Sequence, residues 1–208
     1  MKTTRSGLRR VAALCTAVVL CGCAARTAEH FYSVSVPVAA STIATEAPRV
    51  AVAPIVIPSM IDRPQLVVRT SEHELDVLES HRWAEPLSVD LTRTLVDELR
   101  RSRGGSEIAE QDAPLARLAP LVLEVTVAEL VAGPGQSVSL QASWVLRDRQ
   151  RTCVSVGRFG ASIPMQAGYG AIPTGYAAAM ARLADPIART IGDSASCASA
   201  EIAKLANS

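Results

Sequence analysis

Two periods run through this chain. Leu121, Leu123, Val125 and Val127 recur at every second position, as do Val138, Leu140, Ala142, Trp144 and Leu146, the latter with Ser137, Ser139, Gln141 and Ser143 between them. Alternation of that kind predicts two strands, each with one buried face, joined by a hairpin loop at Gly133-Pro134-Gly135. Thr152 to Ile163 extends the meander by a third strand, whose register is open near Gly157, a residue that admits a bulge. A different spacing governs Leu87, Leu91, Leu95 and Leu99, which fall four residues apart with Val96 beside them. This predicts a helix that starts at Pro86, exposes Arg93, Asp97 and Arg101 as i,i+4 ion pairs, and stops at Gly104-Gly105. A second helix follows from Tyr176, Met180, Leu183, Ile187 and Ile191, with Ile202 and Leu205 extending the stripe. Asp185-Pro186 reads as a cap followed by a first-turn proline, so a kink or two abutting helices are expected there.

Upstream, Phe31 to Val36 alternates as a strand, and a polar, Ala- and Thr-rich stretch leads to Pro48. Arg49 to Ile57 is apolar on both faces, the pattern of a strand covered on both sides, while Pro54 leaves one edge without a donor. Gln65 to Thr70 and Glu74 to Leu78 read as short strands joined by a turn at Ser71 to His73. The sum is a single α/β domain over residues 31–208, a mixed, largely antiparallel sheet packed by two principal helices. No internal repeat is present.

The amino-terminal 22 residues follow another logic. Lys2, Arg5, Arg9 and Arg10 precede an apolar run from Val11 to Leu20, and Leu20-Cys21-Gly22-Cys23 closes it. A run of about 10 residues is half the roughly 20 that a permanent membrane helix needs, so 1–22 is expected to be a removable export signal. Leu20 and Gly22 stand where a lipoprotein signal peptidase requires a Leu-like and a small residue, which makes Cys23 the acceptor of the acyl chains. Cys21 is unsuitable because Leu20 would occupy the small-residue position. Each buried methylene adds about 0.8 kcal/mol, so several acyl chains anchor a body firmly. Residues 23–30 then form a lipidated tether, and Ala24, in place of the Asp that retains lipoproteins at the inner membrane, points to the outer membrane.

Charge changes with this processing. The signal holds four of the 21 Lys and Arg and none of the 20 acidic residues, so the net +1 of the full chain becomes −3, and neither a nucleic-acid footprint nor a polybasic membrane patch remains. The composition, 49% hydrophobic but only 3% aromatic, predicts a folded body with an aliphatic core. Cys153 and Cys197 are the cysteines left after processing. An oxidising periplasm favours a bridge between them, although spacing alone does not establish the required approach of their Cα atoms.

Chemistry is sparse. No phosphate-binding Gly-rich loop, zinc-protease His pair or nucleophile elbow occurs, and His30, His73 and His81 form no ligand ladder, so no catalytic residue, metal or cofactor is expected. The stretch Ala167-Gly168-Tyr169-Gly170-Ala171 reads as a connector that could also be a binding edge. Two segments stand out. Met60 to Arg69 sets a charged, Pro-fixed turn ahead of a strand, and Ser80 to Leu87 sets Trp83 ahead of the Leu-striped helix. Trp83 reads either as a staple against the first helical turns or as an exposed aromatic anchor for a partner. Arg63 and Arg82 either pair with Asp62 and Glu85 or face that partner.

On these residues the chain resembles the ABC-type transport auxiliary lipoproteins of the PqiC (YmbA-like) kind. The shared features are the Tyr-x-Val strand at Tyr32 to Val34, the apolar strand ending in Pro at Val50 to Pro58, the Ile-Asp-Arg-Pro-Gln turn at Ile61 to Gln65, and Arg-Trp-Ala-Glu-Pro-Leu at Arg82 to Leu87. Pro186 and the cysteine pair depart from the pattern. The resemblance implies an outer-membrane lipoprotein without enzymatic activity or cofactor that works with an MCE-domain protein and, through it, an ABC permease and ATPase in moving lipid between membranes. It is expected to form a homo-oligomer and to engage its partner through the Arg63 and Arg82-Trp83 regions. A rival reading is a periplasmic lipid carrier with an apolar cavity between sheet and helices. A third, a periplasmic enzyme, lacks any visible acid, base or nucleophile set.

Overall fold

The computed structural model describes residues 28–35, 49–103, 108–114, 116–133, 137–150 and 154–205. Eight strands form one sheet: β1 (His30–Tyr32), β2 (Val50–Val52), β3 (Gln65–Ser71), β4 (Glu74–Trp83), β5 (Ile108–Glu110), β6 (Leu121–Gly133), β7 (Ser137–Asp148) and β8 (Val154–Pro164). Two long helices accompany them, α1 (Leu87–Arg103) and α2 (Ile172–Leu205). The expected α/β domain with two principal helices is therefore present. Its sheet is mixed: β1–β4, β2–β5, β2–β6 and β3–β6 pair in parallel, whereas the longer β3–β4, β6–β7 and β7–β8 ladders are antiparallel.

Strand β6 organises the sheet. One edge carries β7 along its length, while the other is shared by β2 near Leu121 to Leu123, an isolated bridge from Val56 to Thr126, and β3 at Ala132. The apolar stretch 49–57 thus follows β6 beyond the end of β2, and Pro54 falls in the gap between the strand and the bridge, where its missing N–H costs no ladder bond. Val50 and Val52 enter the main core, and Ala51 meets Ala109, Ala116 and Ala119 in a small alanine cluster, so β2 is covered on both faces as its pattern predicts. The odd positions of β6 point into the core as far as Val127, and past the irregularity before Glu129 the even positions Leu130 and Ala132 take over; on β7 the even positions point inward throughout.

Both helices supply the opposite wall. Leu87, Leu91, Leu95 and Leu99 are all but fully buried, as are Tyr176, Met180, Leu183 and Ile187. Three details differ from expectation. First, α2 runs through Pro186 without a break. One i→i−4 hydrogen bond is forfeited, but Leu183, Ala184 and Ile187 around it are wholly buried, and this packing holds the helix continuous. Second, β7 and β8 stay in register past Gly157, and the irregularity lies instead between Val127 and Glu129 of β6. Third, Arg93 does not pair with Asp97 nor Asp97 with Arg101. Arg93 binds Glu85, Arg100 approaches Asp97 at 3.4 Å, and Arg101 meets Glu98. The side chains of Ile202 and Leu205, the hairpin residues Pro134 and Gly135, and Gly104-Gly105 lie outside the described residues.

Candidate functional site

The motifs that stand apart in sequence converge on one margin of the sheet. Trp83 N–H donates to the Pro64 carbonyl at 2.7 Å, joining the Ile61 to Gln65 turn to the end of β4. Ala84 N–H donates to the Tyr32 carbonyl at 2.7 Å, joining β1 to the same point. Across the three strands Phe31, Arg82 and Gln65 stand in register, as do Tyr32 and Trp83 on the alternate positions of β1 and β4. The turn itself hangs from Pro58, whose carbonyl accepts from Ile61 N–H at 3.0 Å and Asp62 N–H at 3.1 Å, while the Ile61 side chain is buried.

A buried carboxylate fastens the segment that follows β1 to α1. Asp90, only 1% exposed, accepts Val34 N–H at 2.6 Å, Ser35 N–H at 2.9 Å and Ser33 Oγ–H at 3.0 Å. Three donors offset the cost of burying the charge, and a carboxylate in the first turn also complements the helix dipole. Beside it Arg93 grips Glu85 with both guanidinium nitrogens, at 2.6 and 2.9 Å. The Glu85 hydrogen bond raises the arginine's pKa further above its ordinary value, against the opposing effect of burial. Glu85 is therefore committed to Arg93 and does not pair with Arg82.

Trp83 is 6% exposed, and its ring lies tilted on Tyr176 of α2 with centroids 5.5 Å apart. It is a core side chain that ties β4 to α2, so its ring is not presented as an exposed anchor. Tyr176 hydroxyl donates to the Leu130 carbonyl at 3.3 Å, and burial pushes its pKa up. Arg82 stays at the surface: its Nε donates to the Glu79 carbonyl at 3.4 Å and lies 3.8 Å from Glu29. Arg63 is exposed and forms neither the expected pair with Asp62 nor another polar contact among the described residues. Cys23 and Cys153 lie outside the described residues, as does the side chain of Cys197 in α2.

An aromatic group completes the margin. His30 stacks on His81 with centroids 5.0 Å apart, Tyr32 stacks on the same imidazole at 5.7 Å, and Tyr169 meets it edge-on at 4.9 Å. Tyr32 hydroxyl and His81 Nδ1 are 2.9 Å apart, a hydrogen bond. The loop 167–171 is thus fastened to β4, and Gly168 with φ of 95° provides the left-handed turn that brings Tyr169 there. A groove lined by Glu29, Leu78, His81, Arg82 and Tyr169 opens beside it. Sequence reasoning set aside His81 and missed Asp90. A signal for Asp90 existed: it lies three residues after Leu87 and one before Leu91, so a polar group on the buried stripe needed a partner.

Among the described residues no cluster of three or more His, Cys, Asp and Glu is arranged to hold a metal, and no helix is long and apolar enough to cross a membrane. The margin offers hydrogen-bonding, aromatic and cationic groups for contact.

The family model of the ABC-type transport auxiliary lipoprotein component matches residues 32–188. No curated protein matches the sequence. Among solved structures, the crystal structure of an uncharacterized protein aligns with a TM-score of 0.67 at 22% identity, covering 79% of this chain and 99% of the other. A Xanthomonas campestris protein of the DUF330 family aligns with a TM-score of 0.55 at 20% identity, covering 76% and 91% respectively. These structures share the fold. The match across the domain, with Tyr32, the Ile61 to Gln65 turn and the Arg82 to Leu87 segment all inside it, places the chain in the ABC-type transport auxiliary lipoprotein family.

Proposed function

We propose that this chain is a non-enzymatic outer-membrane lipoprotein subunit of an MCE/ABC-type intermembrane lipid transport system, anchored through acylated Cys23 and docking the periplasmic conduit to the outer membrane. The observation that carries this reading is the family match over residues 32–188, preceded at a short distance by the Leu20-Cys21-Gly22-Cys23 acceptor sequence. Its mechanism is geometric. Acyl chains hold the amino-terminal end at the bilayer, and the folded domain, as a homo-oligomer, presents a protein surface that includes Arg63 and Arg82 to an MCE-domain protein, which in turn connects to the permease and ATPase. The outward face of β6, β7 and β8, where Thr126, Gln141 and Ser143 are exposed, is available for contact between copies.

Affinity isolation from native membranes tests the assignment. The wild type is expected to retain an MCE-domain protein, with less retained by Cys23→Ala; an MCE partner in neither sample would overturn it. The rival carrier reading needs room between sheet and helices, where Leu66, Leu91, Leu95, Leu140 and Leu183 are packed at 0 or 1% exposure. Native mass spectrometry of a non-acylated domain separates the two, since bound phospholipid would favour the carrier.

A further inference from the structure

The chain contains only seven aromatic residues: two Trp, three Tyr and two Phe. Trp83, Trp144 and Tyr176 are in the core, Tyr32 and Phe159 are partly buried against it, and two rings remain largely in solvent, Phe31 at 62% and Tyr169 at 45% exposure. Both lie at the same sheet margin. Phe31 belongs to edge strand β1, while Tyr169 touches His81, which stacks with His30 on that strand. Side chains alternate along a strand, so Phe31 projects to one side of β1 and the His30, Tyr32, His81 and Tyr169 group occupies the other. The two exposed rings therefore flank edge strand β1.

The covalent chain determines what can cover this edge. From Cys23 to His30 is seven residues, which span at most about 25 Å when fully extended. A domain of this size is roughly 40 Å across, so an anchor at Cys23 keeps β1 close to the bilayer while the far edge can stand well away. Aromatic rings suit that location, because their flat, amphipathic bodies partition into the headgroup zone. The local charge is small and slightly acidic, with Arg82 set against Glu29 and Glu79 in the same region. Such a surface suits zwitterionic headgroups and gains little from an anionic one.

We infer that the β1 edge is a membrane-contact surface: Phe31 and Tyr169 seat in the headgroup region of the leaflet that holds the Cys23 acyl chains, and fix the orientation of the domain on the bilayer. This rests on the anchored reading above. The juxtaposition of the two exposed rings about the strand nearest the acceptor cysteine carries it.

The test uses the full mature protein, with acylation at Cys23 verified by intact mass, reconstituted into phosphatidylethanolamine vesicles that contain phosphatidylcholine brominated in the upper acyl chain. Phe31→Trp, Tyr169→Trp and Val156→Trp each add one indole; Val156, 73% exposed on β8, is the control. The rings added at 31 and 169 are expected to lose roughly half of their emission to the brominated lipid and to shift to the blue, as for groups seated about 5–10 Å into the interface. The ring at 156 is expected to remain unquenched, and raising the salt to leave all three signals unchanged. Quenching at 31 and 169 no stronger than at 156, in protein shown to be acylated, would overturn the membrane contact and leave the docking function intact. A bare Cys23 thiol in the mature protein would instead overturn the anchored reading and this inference with it.

Discussion

Trp144 lies directly on Gly157 of the neighbouring strand, with which it pairs in register: a Cβ built on that glycine would fall 2.1 Å from ring atom Cζ2 and 2.4 Å from Cε2. The indole is itself confined, 5% exposed, with Nε1–H donating to Thr190 Oγ1 at 3.4 Å on α2. A methyl group at 157 must therefore displace a ring wedged between β8 and α2. Gly157→Ala is expected to destabilise the domain by about 1–3 kcal/mol, seen as a lower urea midpoint with unchanged slope. Gly160→Ala on the same strand would meet only the Leu140 carbonyl at 3.9 Å and is expected to be neutral or mildly stabilising. Equal effects at both positions would contradict this account.

Gly157 also shows where sequence reasoning stops. Its presence in an alternating segment suggests a bulge, because the chain alone does not reveal which side chain needs the space. The long ladders and α1 are legible because each repeats its period many times: β6 and β7 alternate buried and exposed residues, and α1 buries a leucine every turn. Strand β5 has only three residues, too few to establish a period, and forms against the open edge of β2. Pro186 signals a break that the packing of Leu183, Ala184 and Ile187 overrides. At the site, the segments around Arg63 and Trp83 are visible separately. Their meeting through Trp83 N–H and Pro64, and the approach of Tyr169 to His81, depend on long-range register that local patterns do not encode.

Asp90 should act as a latch for the start of the domain. Asp90→Ala removes an acceptor from Val34 N–H, Ser35 N–H and Ser33 Oγ–H together and is expected to cost about 2–4 kcal/mol. Amide exchange distinguishes a local release from a general loss: Val34 and Ser35 should exchange much faster, beyond the change at Leu140 in the central ladder. Uniform acceleration across the protein would refute the latch.

Glu110 makes stability depend on pH. Burial is the main cause that raises its pKa, Asp112 adds to the effect, and Arg93 and Arg100 oppose it. Because the folded value lies above the ordinary glutamate value, the native state binds more protons than the unfolded state between the two, and stability falls as pH rises through that window. Glu110→Gln removes this contribution. Relative to wild type, the variant should therefore gain stability on going from below the ordinary glutamate range to neutral pH. Chemical denaturation at several pH values checks the sign; a stability difference constant with pH would show that the side chain does not titrate as described.

Trp83, Arg82 and Arg63 adjoin the same margin but should fail in different ways. Trp83→Ala removes a buried ring from Tyr176 and is expected to lose about 3–5 kcal/mol of stability. Arg63→Ala removes an exposed side chain without a polar contact among the described residues, and Arg82→Ala gives up only surface contacts, so each should change stability by less than about 1 kcal/mol. If the two arginines face the MCE-domain partner, affinity isolation with either alanine variant should recover less of that partner from membranes while the protein's unfolding midpoint stays near wild type. Trp83→Phe, which keeps an aromatic ring against Tyr176, should preserve more stability than Trp83→Ala and retain partner capture. Loss of capture by Trp83→Phe at near-wild-type stability would mean that the indole recognises the partner directly, and undiminished capture by both arginine variants would remove Arg63 and Arg82 from the docking surface.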